Sequence, residues 1–412
     1  MNGEQRETSA GGARVSTDME ELLGIRSFLH QHPELAFKEY DSSDFLRRRL
    51  VDHGITVRDL NLASGVFARI EGGSAGPHIA LRADIDGLPV REESEYPYHS
   101  LNEGYMHACG HDIHMTALLG AAFELQRMRE SLSGTIDLIF HPAEEGGKGA
   151  QAVMEAGAIE GVQAIAGIHN NPDYLPGQIA VGTEAMMAGC ARFAVRLHAE
   201  GTHAGYPHKG TGPMEAMATM MLSTQTIVSR NASPFHSAVL SITEVHGGSV
   251  WNVVPAEAGF MGTARFFSEE DRVLLRDRLR AQIAGISVGY GISADVEWED
   301  VSNPLVGDGG LSTLIADHVG EYASLQRIQP SMAGEDFSDY ARRIPAVFAF
   351  IGSNGRPGHH NLHSPKSSVW TNVSRRPCAS TPPRRGCYCN TWDESPRTHR
   401  RAASSAGLRM DS

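Results

Sequence analysis

Side chains of three types that bind borderline divalent ions recur in this chain at positions from which they could form one cage. Cys109 and His111 stand two apart in Met106-His107-Ala108-Cys109-Gly110-His111-Asp112, the acidic pair Glu144-Glu145 follows, and His169 and His363 lie further on. Thiolate, imidazole and carboxylate suit zinc, cobalt, nickel or manganese, and a glutamate beside such a cage can take a proton from metal-bound water. The set reads as a metallohydrolase. Taken singly, each residue has a plainer role: a lone cysteine is usually a small buried residue, a lone histidine is usually structural, and an acidic pair is often solvated.

The elements that must position these groups are visible as four apolar runs, each ending near one of the polar loci. Residues 78–81 run into Arg82-Ala83-Asp84, 136–140 into His141-Pro142-Ala143-Glu144-Glu145, 164–168 into His169, and 346–351 into a Gly-rich loop that reaches His363. Each has the length and composition of a strand, and helical patterns lie between several of them. One is 112–130, where Leu118, Ala122 and Leu125 mark a buried face and Asp112 is placed to cap the N-terminus. Strands alternating with helices imply an α/β sheet, in which ligands bind beyond the carboxyl ends of the strands.

The pattern changes over residues 186–299. Strands are expected at 190–199, 238–245, 257–267 and 292–298, and helices at 213–229 and 269–286, in the order β-α-β-β-α-β of a ferredoxin-like domain. The methionines Met214, Met217, Met220 and Met221 read as packing on the first of these helices. Five segments follow: an N-terminus at 1–17 without ordered structure, a catalytic domain at 18–185 and 300–370, the insertion at 186–299, and an atypical tail at 371–412. The tail holds eight Arg, no Lys, three acidic residues and three Cys, and its formal charge of +5 contrasts with −18 for the rest. It reads either as a disordered basic tail or as a non-native extension from an altered reading frame.

A chain of 412 residues with 41% hydrophobic content exceeds what one core organises, and its net charge of −13 disfavours nucleic acid and anionic membrane as partners. A small-molecule substrate fits better. No segment gives eighteen uninterrupted apolar residues, and the five cysteines show no disulfide framework, so a reducing, cytoplasmic location is expected.

Five motifs in order carry a family resemblance: Arg26 with His30-Gln31-His32-Pro33-Glu34-Leu35-Ala36-Phe37-Lys38-Glu39; Leu81-Arg82-Ala83-Asp84-Ile85-Asp86-Gly87-Leu88-Pro89; His107-Ala108-Cys109-Gly110-His111-Asp112; His141-Pro142-Ala143-Glu144-Glu145-Gly146; and Gly201-Thr202-His203-Ala204-Gly205-Tyr206-Pro207-His208. Over residues 20–365 the chain resembles the aminoacylase and carboxypeptidase superfamily of dinuclear metallopeptidases. The branch it is most similar to is that of amidohydrolases such as hippurate hydrolases and indole-acetyl-amino-acid hydrolases.

The resemblance implies a mostly parallel catalytic sheet flanked by helices, with the insertion serving as a dimerisation and lid domain. It implies two divalent ions per subunit on Cys109, His111, Glu145, His169 and His363, and Glu144 as general base toward a metal-bridging water. Asp84 and His114 would orient the imidazoles. His203 would reach the active site of a partner subunit in a homodimer to stabilise the oxyanion, while Asn252 would lie near substrate and Arg265 would meet a substrate carboxylate. The function implied is cleavage of the amide bond of N-acyl amino acids or amino-acid conjugates. Three other readings stay open: a dipeptidase or carboxypeptidase on short peptides, a cysteine hydrolase using Cys109, and a metal-binding relative inactivated by its altered C-terminus. The sequence departs from the family pattern at Ile113, where Gly is usual, and after Ser367, where no closing helix follows.

Overall fold

The computed structural model describes residues 19–94, 97–146 and 148–367, and the backbone of 374–377 and 388–391. The expected unstructured N-terminus, 1–17, lies outside the described residues. Two units divide the chain, one comprising Val15–Val369 and the other Met1–Arg14 with Trp370–Ser412. In the second unit the strands Ser374–Pro377 and Tyr388–Thr391 pair antiparallel, within a tail for which the sequence signals no regular element. The rest of that tail lies outside the described residues.

In the first unit, four adjacent strands form the parallel centre of an eight-stranded sheet: Ser133–His141, Ser74–Asp84, Ala164–Asn171 and Ala346–Gly352. These are the four apolar runs of the sequence. They are mostly apolar because both faces of the sheet are covered, and alternate side chains enter different cores. Leu138 and Phe140 pack on one face with Leu29, Leu46 and Leu119 from the helices Met19–Gln31, Tyr40–Asp52 and His111–Arg127. Ile139, between them in sequence, packs on the other face with Ile165, Phe337 and Phe348. The strands Thr56–Arg58 and Val66–Glu71 extend one side antiparallel, and Gln178–Val181 and Ser324–Leu325 extend the other.

The insertion forms a four-stranded antiparallel sheet from Gly189–His198, Ala238–Gly247, Glu257–Phe266 and Ser293–Ser302, with helices Met214–Asn231 and Glu269–Tyr290. In space the strands run second, third, first, fourth, as the ferredoxin-like arrangement requires. Both helices bury one stripe on the sheet: Met217 and Met220 from the first and Leu275, Leu279 and Ile283 from the second meet Phe193, Leu197 and Phe260. The methionines thus serve packing. Ser268 caps the second helix by accepting a hydrogen bond from the Asp271 N–H at 3.1 Å, and Gly291 ends it in the left-handed region at φ 66°.

One local expectation is corrected. Asp112 does not cap its helix: the helix starts at His111, its N-cap is Gly110, and no side chain caps it. The Asp112 carboxylate instead accepts from Arg26 Nε at 3.0 Å and lies 3.1 Å from His30 Nδ1, all three side chains being buried. A buried guanidinium offers this carboxylate a stronger partner than a helix N–H does.

Candidate metal centre

The four parallel strands deliver their following loops to one place, and the geometry there begins with a glycine. Gly110, between Cys109 and His111, is in the left-handed region at φ 88°, and a Cβ on it would lie 2.5 Å from Asn170 Oδ1. Only glycine meets both demands. The turn it makes brings the Cys109 thiol and the His111 imidazole to one side, with His169 arriving from the neighbouring strand. Cys109 Sγ then stands 3.4 Å from His169 Nε2 and 3.3 Å from His363 Nε2.

Backbone carbonyls orient the imidazoles. His111 Nδ1 lies 2.8 Å from the Asp86 carbonyl oxygen and His169 Nδ1 2.7 Å from that of Asn170, so each ring uses Nδ1–H as donor and leaves the Nε2 lone pair to the centre. His111 Nε2 is buried without a hydrogen-bond partner. His363 is exposed and sits at φ 64°, held by its N–H donating to the Ala108 carbonyl at 2.9 Å. Its Nε2 is 3.1 Å from Glu145 Oε1.

Two carboxylates fix the acidic pair. Asp86 accepts from the backbone N–H of Glu144 at 3.2 Å and of Glu145 at 2.9 Å. Ala143, just before them, is left-handed at φ 61°, and its N–H donates to Glu39 Oε1 at 2.8 Å. A non-glycine residue in that region costs about 1–3 kcal/mol, which the Glu39 contact helps to offset.

Behind the pair lies a buried charge cluster. Arg82, fully buried, donates to Asp84 Oδ2 at 2.8 Å, Glu335 Oε1 at 2.9 Å and Asp336 Oδ1 at 3.1 Å. Asp84 Oδ1 is 2.5 Å from His114 Nδ1, and His114 Nε2 accepts from the Asn170 N–H at 2.8 Å. Asp336 Oδ2 lies 3.0 Å from His141 Nε2, and His141 Nδ1 lies 2.7 Å from the Tyr340 hydroxyl.

The centre fits a cation. Groups from Cys109, His111 and His169 lie within 4.8 Å of one another, as do those of Cys109, Glu145 and His363 and those of His111, Glu144 and Glu145. Burial holds His169 down at about 3, so it is a neutral donor. At His111, burial opposes the charged form, yet Asp84, Asp86 and Glu145 draw it up to about 10. That field demands positive charge there, and the unpartnered Nε2 marks where a Lewis acid would sit. Burial, then Glu335, Asp336 and Glu145, push the Glu144 carboxyl well above the usual range.

Of the residues singled out in the sequence, Cys109, His111, Glu144, Glu145, His169 and His363 converge here, and Asp84 and His114 stand directly behind. A cavity of about 770 Å³ opens over Cys109, Glu144, Glu145 and His363, and Arg265 of the inserted domain is also in its lining. His203 and Asn252 do not line this cavity. They neighbour each other in the inserted domain, where Thr202–His203 pairs with Val253–Val254 and the Ala204 N–H donates to the Asn252 carbonyl at 3.0 Å. Sequence reasoning missed roles for Arg82, Asp86, Glu335 and Asp336; the available signal was another acidic pair, in Met332-Ala333-Gly334-Glu335-Asp336-Phe337.

Two outcomes follow for stability. Replacing Arg82 with Met strips three buried carboxylates of their shared cation and is expected to cost about 3–5 kcal/mol, read from the denaturant midpoint; an unchanged midpoint would show the cluster to be self-sufficient. Burial lowers the His30 pKa, but Asp112 and Glu92 outweigh it and raise the group to about 9. Because the folded value exceeds the unfolded 6.5, this stabilisation is complete below pH 6.5 and is lost as pH rises through 9. The melting-temperature gap between wild type and His30→Gln should therefore be wide at pH 6 and narrow at pH 9.5.

Residues 80–374 match Peptidase family M20/M25/M40. Over 357 residues the chain is 43% identical to the N-acetyl-L-cysteine deacetylase of Bacillus subtilis, covering 86% of this chain and 85% of the relative. It is 35% identical over 357 residues to the IAA-amino acid hydrolase ILR1-like 4 of Arabidopsis thaliana, covering 84% and 81%. Among solved structures, a Bacillus subtilis protein described as a dinuclear metal binding peptidase of the M20 family superposes with a TM-score of 0.77 at 35% identity, covering 85% of this chain and 92% of that one. With its catalytic sheet, inserted domain and cage, the chain belongs to peptidase family M20/M25/M40 and is a metal-dependent hydrolase.

Proposed function

We propose that the protein hydrolyses the amide bond of N-acyl amino acids. One observation carries the choice of substrate: the cavity that opens on the cage is faced by Arg265, for which no described carboxylate lies within ion-pair distance. A guanidinium in the wall of a hydrolytic pocket suits the carboxylate of an amino acid whose nitrogen is acylated. Relatives named for N-acetyl-L-cysteine and for IAA-amino acids agree with this reading.

Cys109, His111, Glu145, His169 and His363 would hold two divalent ions, of manganese, zinc, cobalt or nickel, which when bound polarise the scissile carbonyl and acidify water. Glu144, oriented through its backbone by Asp86, takes a proton from the attacking water and passes it to the leaving nitrogen. Its raised affinity for a proton suits both halves of that task. Glu145 is left to the metal, so the adjacent carboxylates divide the work. Asp84 and His114 hold the backbone beside His169 in place.

His203 is assigned to the partner's site in a homodimer, where it would stabilise the oxyanion with Asn252 near the substrate. Its exposed position away from its own subunit's cavity supports this. So does the outer edge of the inserted sheet, where the strand Ala238–Gly247 is terminal and Val245, Phe235, Leu222 and Trp251 are exposed. Among the described residues no helix is long and apolar enough to cross a membrane. The free thiols of Cys109 and Cys190 suit the reducing cytoplasm proposed as its location.

The test is release of free amino acid from a panel of N-acetyl and N-benzoyl amino acids, with dipeptides alongside, before chelation, after it, and after manganese or zinc is restored. Chelator-sensitive turnover of the N-acyl substrates is expected, and Glu144→Gln should lower kcat about 10²–10⁴-fold with metal content unchanged. Preference for dipeptides would move the assignment to a peptidase, and bound metal without turnover would mark an inactive relative. For the dimer, His203→Ala and Glu144→Gln proteins should each be inactive alone and recover roughly a quarter of wild-type activity when mixed, because half the dimers carry one complete site. No recovery after verified subunit exchange would remove His203 from the partner's site.

A further inference from the structure

The amino-acid half of the substrate needs a second contact besides Arg265, and the chain holds a carboxyl oxygen that no described group engages. Glu335 is 1% exposed, and its Oε1 is anchored by Arg82 Nη2 at 2.9 Å and by the Phe337 N–H at 3.0 Å. Its Oε2 is buried with no hydrogen-bond partner. Keeping a carboxylate oxygen out of water without a donor is costly, so such an atom calls for a donor supplied from outside the chain. Glu335 lines the same cavity as Glu144 and Arg265, and carboxyl oxygens of Glu144 and Glu335 lie within 4.8 Å of each other.

The residue before it ties this oxygen to the guanidinium. A Cβ on Gly334 would lie 2.9 Å from Ser302 Oγ and 3.5 Å from Arg265 Nη1, so the backbone leading into Glu335 passes against the Arg265 side chain. One carbon separates the nitrogen and the carboxylate of an α-amino acid. An acceptor and a cation presented by one stretch of cavity wall match that pair.

We propose that Glu335 holds the nitrogen of the leaving amino acid and, with Arg265, forms the subsite that reads an α-amino acid; this rests on the amidohydrolase reading above. In the substrate the amide N–H donates to Glu335. Hydrolysis breaks the acyl carbon–nitrogen bond, joins the water oxygen to the acyl carbon, and leaves both water protons on the nitrogen. The products are a carboxylate and an ammonium, and the ammonium pairs with Glu335. Glu144 delivers its proton where this nitrogen is held.

The test is calorimetric titration of the metal-loaded enzyme with L-leucine, with 4-methylpentanoate, which lacks the amine, and with 3-methylbutylamine, which lacks the carboxylate. Glu335→Gln keeps an acceptor for Arg82 and should weaken L-leucine and 3-methylbutylamine about tenfold while leaving 4-methylpentanoate unchanged. Arg265→Gln should weaken L-leucine and 4-methylpentanoate and spare the amine. Equal loss of all three ligands in Glu335→Gln, or loss of none, overturns the proposal. Should that variant not fold, wild type decides: L-leucine binding no tighter than 4-methylpentanoate overturns the proposal, and tenfold tighter binding sustains it. A wild-type enzyme that shows the binding pattern yet hydrolyses no N-acyl amino acid overturns the amidohydrolase reading and sustains the subsite, whereas turnover without the pattern overturns the subsite alone.

Discussion

Arg82 is the contact on which both halves of the catalytic domain depend. Its guanidinium has no access to water and is surrounded by Asp84, Glu335 and Asp336, the last two reached across more than 250 residues of chain. Three carboxylates around one cation are stable in a low-dielectric interior only while the geometry is kept, because each would otherwise carry an uncompensated charge. The lattice of bonds therefore locks the segment 335–341 to the end of the strand Ser74–Asp84. Through Asp336 and Tyr340 it also holds His141, at the end of the strand Ser133–His141, and through Asp84 and His114 it reaches the backbone at Asn170, beside His169. Candidate metal-holding residues from separate strands thus share one rigid support.

The same cluster sets the chemistry. One guanidinium does not balance the acidic groups gathered within a few ångströms, so the pocket favours protons and metal ions alike. Glu144 is pressed toward its protonated form by burial and by Glu335 and Asp336. Bound cations would relieve the excess. Support, proton affinity and metal affinity are thus consequences of one arrangement of charge.

Much of this was legible in the sequence, for physical reasons. The four parallel strands announced themselves because strands covered on both faces are mostly apolar, and the convergence of Cys109, His111, the glutamate pair, His169 and His363 was legible because they stand at or just beyond the ends of those strands. The inserted domain was legible because its alternating strands and striped helices are local patterns. Glu335 and Asp336 were not, since their value lies in a bond to Arg82 that leaves no mark on neighbouring residues. Asp112 misled because an acidic residue at a helix start usually serves the helix, whereas here Arg26 and His30 claim it. The short strands Gln178–Val181 and Ser324–Leu325 escaped because two to four residues cannot show a period.

The position of His363 has a topological consequence. It is 254 residues from Cys109, with the whole inserted domain between them, yet the two side chains stand in contact distance. A cation gripping both would close most of the polypeptide into a ring, as a covalent cross-link would, and shrink the freedom of the unfolded chain accordingly; by loop-closure reasoning a ring this large counts for more than a local one, and its worth grows only slowly with further length. Loss of the ion would then be felt as the opening of that ring, with His363, exposed and in a left-handed conformation, as the clasp that parts first.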